Sequence, residues 1–350
     1  MNHKKEMHKN VLFNPKGDDL VSHRTVIKGN TTGLFQLNDS KYTWAKKLYP
    51  IMIGNFWIPE KVTGLKDDAR MLHSDLSEDE QRAYKGILSF LIFLDSIQTV
   101  NLPHISDYVT APEINLILAI QTYQEAIHSQ SYATILETVV DSKERNEIYY
   151  FWRDDQILLD RNQYIGSIYQ DFLDEPSDNQ FFRTIIANYL LEALYFYNGF
   201  AFFDTLVDQG KMLASGRMIA YIRRDELTHV TLFAQLIKEI KKEFPDIYDE
   251  ELVIEMTKTA VDQEIKWSNH ILGSKIPGIN GETTEQYTKW LANERMGRLG
   301  IKPIYDVSDE NPYKHLERLQ DLDSDKSNFF ESTVINYTQS SGLAGDWDEI

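Results

Sequence analysis

Two Glu-x-x-His pairs, Glu125 with His128 and Glu226 with His229, are the residues in this chain whose types and spacing most directly suggest chemistry. Residues three apart on a helix share a face, so each pair presents a carboxylate oxygen and an imidazole nitrogen to one ion. Among nine histidines, chance alone supplies about one such pair at average glutamate usage. The spacing therefore needs support from elsewhere.

That support comes from two acids isolated in apolar surroundings: Asp95 in ILSFLIFLDSI and Glu192 in ANYLLEALYFY. An ionised carboxylate buried without a partner costs several kcal/mol, so it calls for a cation, an ion pair or a retained proton. Asp95 precedes the first Glu-x-x-His pair by 30 residues and Glu192 precedes the second by 34. Each half of the chain thus reads as a helix carrying an acid, a turn, and a helix carrying Glu-x-x-His. Four carboxylates and two imidazoles from four helices form the donor set of ferritin-like di-iron and di-manganese carboxylate proteins, with Asp in place of one Glu. Oxygen-rich ligation with one imidazole per metal suits iron or manganese. Thiolate ligation is excluded, because the chain has no cysteine.

A tyrosine follows the first pair in EAIHSQSY. On a helical wheel His128 lies about 60° and Tyr132 about 20° from Glu125, so all three project to one side. Tyr132 would then stand one turn from His128, as a core phenol or as a side chain the metals oxidise. Phe196 and Phe200 follow Glu192 at four and eight residues, and Ile222 precedes Glu226 by four. These three could close an apolar pocket over the phenol.

The elements that must position these residues are helices. DLSEDEQ opens a helix with Ser77 and Glu80 in capping-box register, and the apolar run continues to Val100 before Pro103. Further helices are expected at about 112–140, 144–173, 179–208, 212–241 and 249–272, separated by polar breaks such as DEPSDNQ and DQGK. Period-2 alternation is nowhere sustained, so the fold class is all-α: a ferritin-like bundle with extra helices. Residues 1–40 read as an irregular arm, 41–305 as the dimetal helical domain, and 306–350, acidic and turn-rich, as a mobile C-terminal tail.

Composition sets the wider limits. With 36 Lys and Arg against 54 Asp and Glu, the net charge is −18, which argues against nucleic acid or an anionic membrane as partner. The apolar stretches at 87–97 and 185–206 are respectively too short and too polar to span a bilayer. With no apolar run after the basic N-terminus, no secretory signal is read, and a cytoplasmic protein is expected.

Together, NFWIPEKV, LDSIQTV, QEAIHSQSY, LLEALYFYNGFAFF and IRRDELTH resemble the small, radical-generating subunit of class I ribonucleotide reductase, from about Tyr49 to the C-terminal tail. The resemblance implies that Asp95, Glu125, His128, Glu192, Glu226 and His229 bind two metal ions (iron, manganese or one of each), activated by oxygen or a reduced oxygen species. It implies that Tyr132 carries a radical inside the Phe196, Phe200 and Ile222 pocket, and that Trp57 and Asp225 lead the oxidant outward. Tyr337 resembles the family's mobile relay tyrosine, and the residues after it would dock on a large catalytic subunit, with Trp347 as an anchor. A homodimer is also implied, and an activase protein is among the partners the family allows. Without cysteines this chain cannot reduce a nucleotide alone. Two other readings share the six ligands: a dimetal oxidase or monooxygenase acting on its own small substrate, and a metal-storage protein.

Overall fold

A computed structural model describes residues 7–320. Eleven α-helices occur among them: α1 (Thr43–Gly54), α2 (Leu65–Ser74), α3 (Glu78–Ser106), α4 (Pro112–Val139), α5 (Arg145–Asp154), α6 (Gln156–Asp174), α7 (Asp178–Leu190), α8 (Tyr197–Asp208), α9 (Leu213–Glu243), α10 (Glu250–Ile271) and α11 (Gly281–Arg298). A π-turn, Leu191–Tyr195, joins α7 to α8. The extended backbone among the described residues pairs only at an isolated bridge between Ile27 and Val109.

Local chemistry sets most of the helix starts. At α3 the Ser77 hydroxyl accepts from the Glu80 amide, and the Glu80 carboxylate accepts from the Ser77 amide at 2.7 Å, so two otherwise unpaired donors are satisfied. Ser177, Asp249 and Asn280 cap α7, α10 and α11 through their side chains. The start of α9 is capped from a distance: Asp68 of α2 accepts from the amides of Ala214 and Ser215 and from the Ser215 hydroxyl.

Three helix boundaries differ from the sequence reading. α3 continues through Pro103 to Ser106, because Leu102 and Ile105 are fully buried and hold the last turn in place. The expected helix at 144–173 is two helices, broken where Asp155 turns extended and caps α6 by accepting from the amides of Ile157 and Leu158. The stretch 179–208 is interrupted by the π-turn. α1, α2 and α11 complete the helical body.

α3 packs on α4, α4 on α9, and α9 on α7 and α8, while α6, α10 and α11 cover the outer side of α7 and the π-turn. The apolar α3 is the one described helix long and apolar enough to cross a membrane, and 61% of that window is buried inside the bundle. Residues 7–40 are irregular apart from a 3-10 turn at Val21–His23. Arg24 straps this arm down, donating to Glu113 of α4 and to the carbonyls of Asp39 and Gln36.

The segment from 306, expected to be mobile throughout, is packed over its first part. A 3-10 helix at Lys314–Gln320 lies on α8, with Tyr313 and Leu316 buried, so apolar side chains fix it despite the acidic composition. Tyr337, Trp347 and the proposed docking residues lie outside the described residues.

Candidate metal centre and electron path

The six expected ligands converge from four elements: Asp95 on α3, Glu125 and His128 on α4, Glu192 in the π-turn, and Glu226 and His229 on α9. All six are fully buried. Their donor atoms form two overlapping sets, Asp95, Glu125, His128 and Glu226 in one and Glu125, Glu192, Glu226 and His229 in the other, each with its atoms within 4.8 Å of one another. Glu125 and Glu226 belong to both, as carboxylates bridging two ions would.

The imidazoles are arranged alike. His128 Nδ1 lies 3.2 Å from Glu226, 3.4 Å from Glu125 and 3.9 Å from Asp95. His229 Nδ1 lies 2.8 Å from Glu226, 3.2 Å from Glu125 and 3.6 Å from Glu192. Each Nε2 points away from the cluster, to Asp225 at 3.2 Å for His128 and to the Gln124 amide oxygen at 3.0 Å for His229. Such outward bonds fix the orientation of a ligating imidazole.

The donor set fits two metal ions. Both Asp95 oxygens, Glu125 Oε2, Glu192 Oε2, Glu226 Oε1 and His128 Nδ1 are buried without a hydrogen-bond partner, and native interiors do not leave so many charged atoms unpaired without a compensating charge. Burial, with the like charges of neighbouring glutamates, pushes Asp95 and Glu192 well above the ordinary carboxyl range. Burial opposes charge on His128 and His229 too, but the surrounding carboxylates outweigh it and raise both imidazoles. Burial opposes charge on Glu226 as well, but the imidazoles of His229 and His128 beside it outweigh that and hold its carboxyl low.

Amides that the sequence reading passed over complete the site. Gln98 and Gln121 donate to Glu192 Oε1, Gln121 at 2.9 Å, and the Tyr169 hydroxyl donates to the Gln98 carbonyl at 2.9 Å. The usable signal was position: Gln98 stands three residues after Asp95, Gln121 four before Glu125, and Gln124 four before His128.

Tyr132 is fully buried, as are Phe196, Phe200 and Ile222 in the same core. The rings of Phe196 and Phe200 stack at 5.9 Å. The Tyr132 hydroxyl makes no hydrogen bond of good geometry; burial first, and then the Asp95 carboxylate, raise its pKa well above that of a free phenol.

A continuous polar path leads outward from His128. Asp225 Oδ2 stands 3.2 Å from His128 Nε2 and accepts from Trp57 Nε1 at 2.9 Å. Trp57 follows α1 and lines a cavity of about 140 Å³ with Phe56, Tyr123, Gln124 and Asp225. The Tyr221 ring, a further neighbour not foreseen, sits 5.2 Å from that of Trp57.

Residues 34–312 match the family described as ribonucleotide reductase, small chain. A Treponema pallidum protein named ribonucleoside-diphosphate reductase subunit beta is 42% identical over 345 residues, spanning 97% of this chain and 98% of the relative. The solved ribonucleotide reductase R2 subunit from Clostridium botulinum superposes with a TM-score of 0.86 at 43% identity, covering 90% of this chain and 99% of that one. The crystal structure of Streptococcus sanguinis dimanganese(II)-NrdF shares the fold, with a TM-score of 0.70 at 20% identity over 81% of this chain and 98% of its own. These matches do not favour the oxidase and storage readings of the same ligands. The chain belongs to the ribonucleotide reductase small-chain family, whose members work as oxidoreductase subunits together with a large subunit.

Proposed function

We propose that Asp95, Glu125, His128, Glu192, Glu226 and His229 hold two metal ions, and that the chain uses them to store a one-electron oxidant for a cysteine-bearing large subunit. The observation that carries this reading is the pair of ligand sets sharing Glu125 and Glu226, joined through His128 and Asp225 to Trp57. When bound, the metals supply the oxidising power, derived from oxygen or a reduced oxygen species, to remove one electron from a nearby side chain. Iron and manganese both suit these ligands.

Tyr132 is the side chain proposed to lose that electron. Its burial excludes water and reductants, Phe196, Phe200 and Ile222 are proposed to wall it in, and the Asp95 carboxylate is the proposed acceptor of the phenolic proton. Trp57 is proposed as the exit: Asp225 Oδ2 can hold the indole proton while the electron moves, so charge and proton need not separate in a buried site. Beyond the described residues, Tyr337 and the tail are proposed to continue the path and dock the large subunit. A homodimer and an activase protein complete the proposed assembly. The names of the relatives favour ribonucleoside diphosphates as the substrates reduced there.

The test is to load the chain with iron or manganese, oxidise it, and record its absorption and paramagnetic resonance spectra. Two metals per chain and a radical signal abolished in Tyr132→Phe are expected. The reading fails if no loading regime yields a metal-dependent oxidant.

A further inference from the structure

Glu192 does not stand on a regular helix. It lies in the π-turn between α7 and α8, where the backbone ladder is opened by one residue and carbonyls lose their usual amide partners. Two carbonyls of this turn accept from arginine side chains of outer helices. Arg161 of α6 donates from Nη2 to the Tyr195 carbonyl at 2.7 Å, and Arg295 of α11 donates from Nε to the Ala193 carbonyl at 3.2 Å. Their exposures are 1% and 5%, which makes them unusual, since a buried guanidinium costs several kcal/mol.

The surroundings hold both arginines in place. Arg161 pairs with Glu264 of α10, its Nε donating at 2.6 Å, and its guanidinium lies over the rings of Phe90, Tyr195 and Trp267. Arg295 lies 4.8 Å over the Tyr197 ring, and its own carbonyl accepts from the Tyr189 hydroxyl at 2.7 Å. α11 is therefore tied to the ligand-bearing segment on both sides of Glu192, at Tyr189 and at Ala193. A buried ion pair with Glu264 would not by itself need an arginine, since apolar residues often replace such pairs without loss. Reaching a carbonyl while also bonding a carboxylate does need a forked donor.

We propose that Arg161 and Arg295 are positioning residues for Glu192: by occupying the carbonyls of the π-turn they hold it open and fix where Glu192 Oε2 stands relative to Glu125, Glu226 and His229. The proposal rests on the reading of Glu192 as a metal ligand. It makes the two metal positions unequal, because the two arginines act on the segment that carries Glu192, whereas Asp95 and His128 stand on α3 and α4.

Arg161→Lys and Arg295→Lys in the full chain test this, together with the double variant Arg161→Met, Glu264→Met, which removes the buried pair without orphaning either charge. Amide exchange of the metal-free chain and Mn(II) titration followed by paramagnetic resonance are the two readouts. Exchange at 191–200 is expected to quicken by about tenfold while α3 and α4 stay protected. One Mn(II) equivalent should bind as in the wild-type chain, and the second should weaken by about 10- to 100-fold with loss of the coupled two-ion signal. Unchanged exchange at 191–200 with two unaltered equivalents in these variants overturns the proposal. Fewer than two Mn(II) per wild-type chain overturns the ligand reading of Glu192 itself, a distinct result.

Discussion

His128, Asp225 and Trp57 place an imidazole, a carboxylate and an indole in one hydrogen-bonded row, so single-residue changes along it have separable consequences. Asp225→Asn keeps the shape but replaces the shared charged acceptor with an amide. Metal affinity is expected to fall by about 10- to 100-fold, as for other partners of ligating histidines. Trp57→Phe lacks the indole N–H, which bonds to Asp225 and not to a proposed ligand, so metal content and any Tyr132 signal should persist while turnover with the large subunit is lost. Metal analysis alongside turnover distinguishes the two, and normal turnover in Trp57→Phe removes Trp57 from the path. Protonation gives another expectation. Asp95, Glu192, His128 and His229 all have raised pKa values without metal, so they hold protons that an incoming metal must displace. Mn(II) binding should release protons and weaken from pH 8 to pH 6; a pH-independent affinity contradicts this. Linkage gives the same sign for stability: raised imidazoles stabilise the metal-free fold fully below 6.5 and less as pH rises through their folded values. Raised carboxyls also lose stability as pH climbs, so metal should raise Tm more at pH 8 than at pH 6. The ligands were legible because an acid inside an apolar helix is costly without a purpose. Gln98 and Gln121 were not, because an amide at the same place carries no net charge to betray it.

At the scale of elements, the site depends on helix ends that are fixed from far away in the chain. α9 carries Asp225, Glu226 and His229, and its first amides are capped by Asp68 of α2, some 146 residues earlier. Asp68→Ala leaves the Ala214 and Ser215 amides without that acceptor, and should destabilise the fold by about 1–2 kcal/mol, measured by denaturant titration. An unchanged midpoint would mean that water replaces the cap. The capping box of α3 was readable because its partners lie three positions apart, whereas the Asp68 cap has no local signature. The π-turn was equally hidden, since one inserted residue changes the helix register without altering composition or apolar content. The break at Asp155 inside 144–173 is hidden for a related reason: a polar residue inside a helical pattern looks like a solvated face until its backbone turns extended and caps the following helix.

On the scale of the whole molecule, membership of the small-chain family implies a large-subunit partner, and the question becomes which residues belong to the folded body. Composition assigned everything from 306 to the tail, but buried contacts move that boundary. Asn293 of α11 brackets Ile304 and Tyr305 by accepting both amides and donating to the Tyr305 carbonyl. Tyr313 packs edge-on to Tyr287, with its hydroxyl 3.1 Å from that of Thr284, and Arg318 pairs with Asp208 of α8. Removal of 306–350 therefore strips two buried side chains, Tyr313 and Leu316, and should cost several kcal/mol by analogy with large-to-small changes in cores. Removal of 321–350 alone should leave Tm and metal content unchanged and abolish turnover with the large subunit, because it deletes Tyr337 and the proposed docking residues while sparing the packed root. Comparing the two truncations by calorimetry, metal analysis and turnover separates a folding role from a docking role. If the shorter deletion retains turnover, the tail is not the route to the large subunit, and the oxidising equivalent must leave through the folded surface near Trp57.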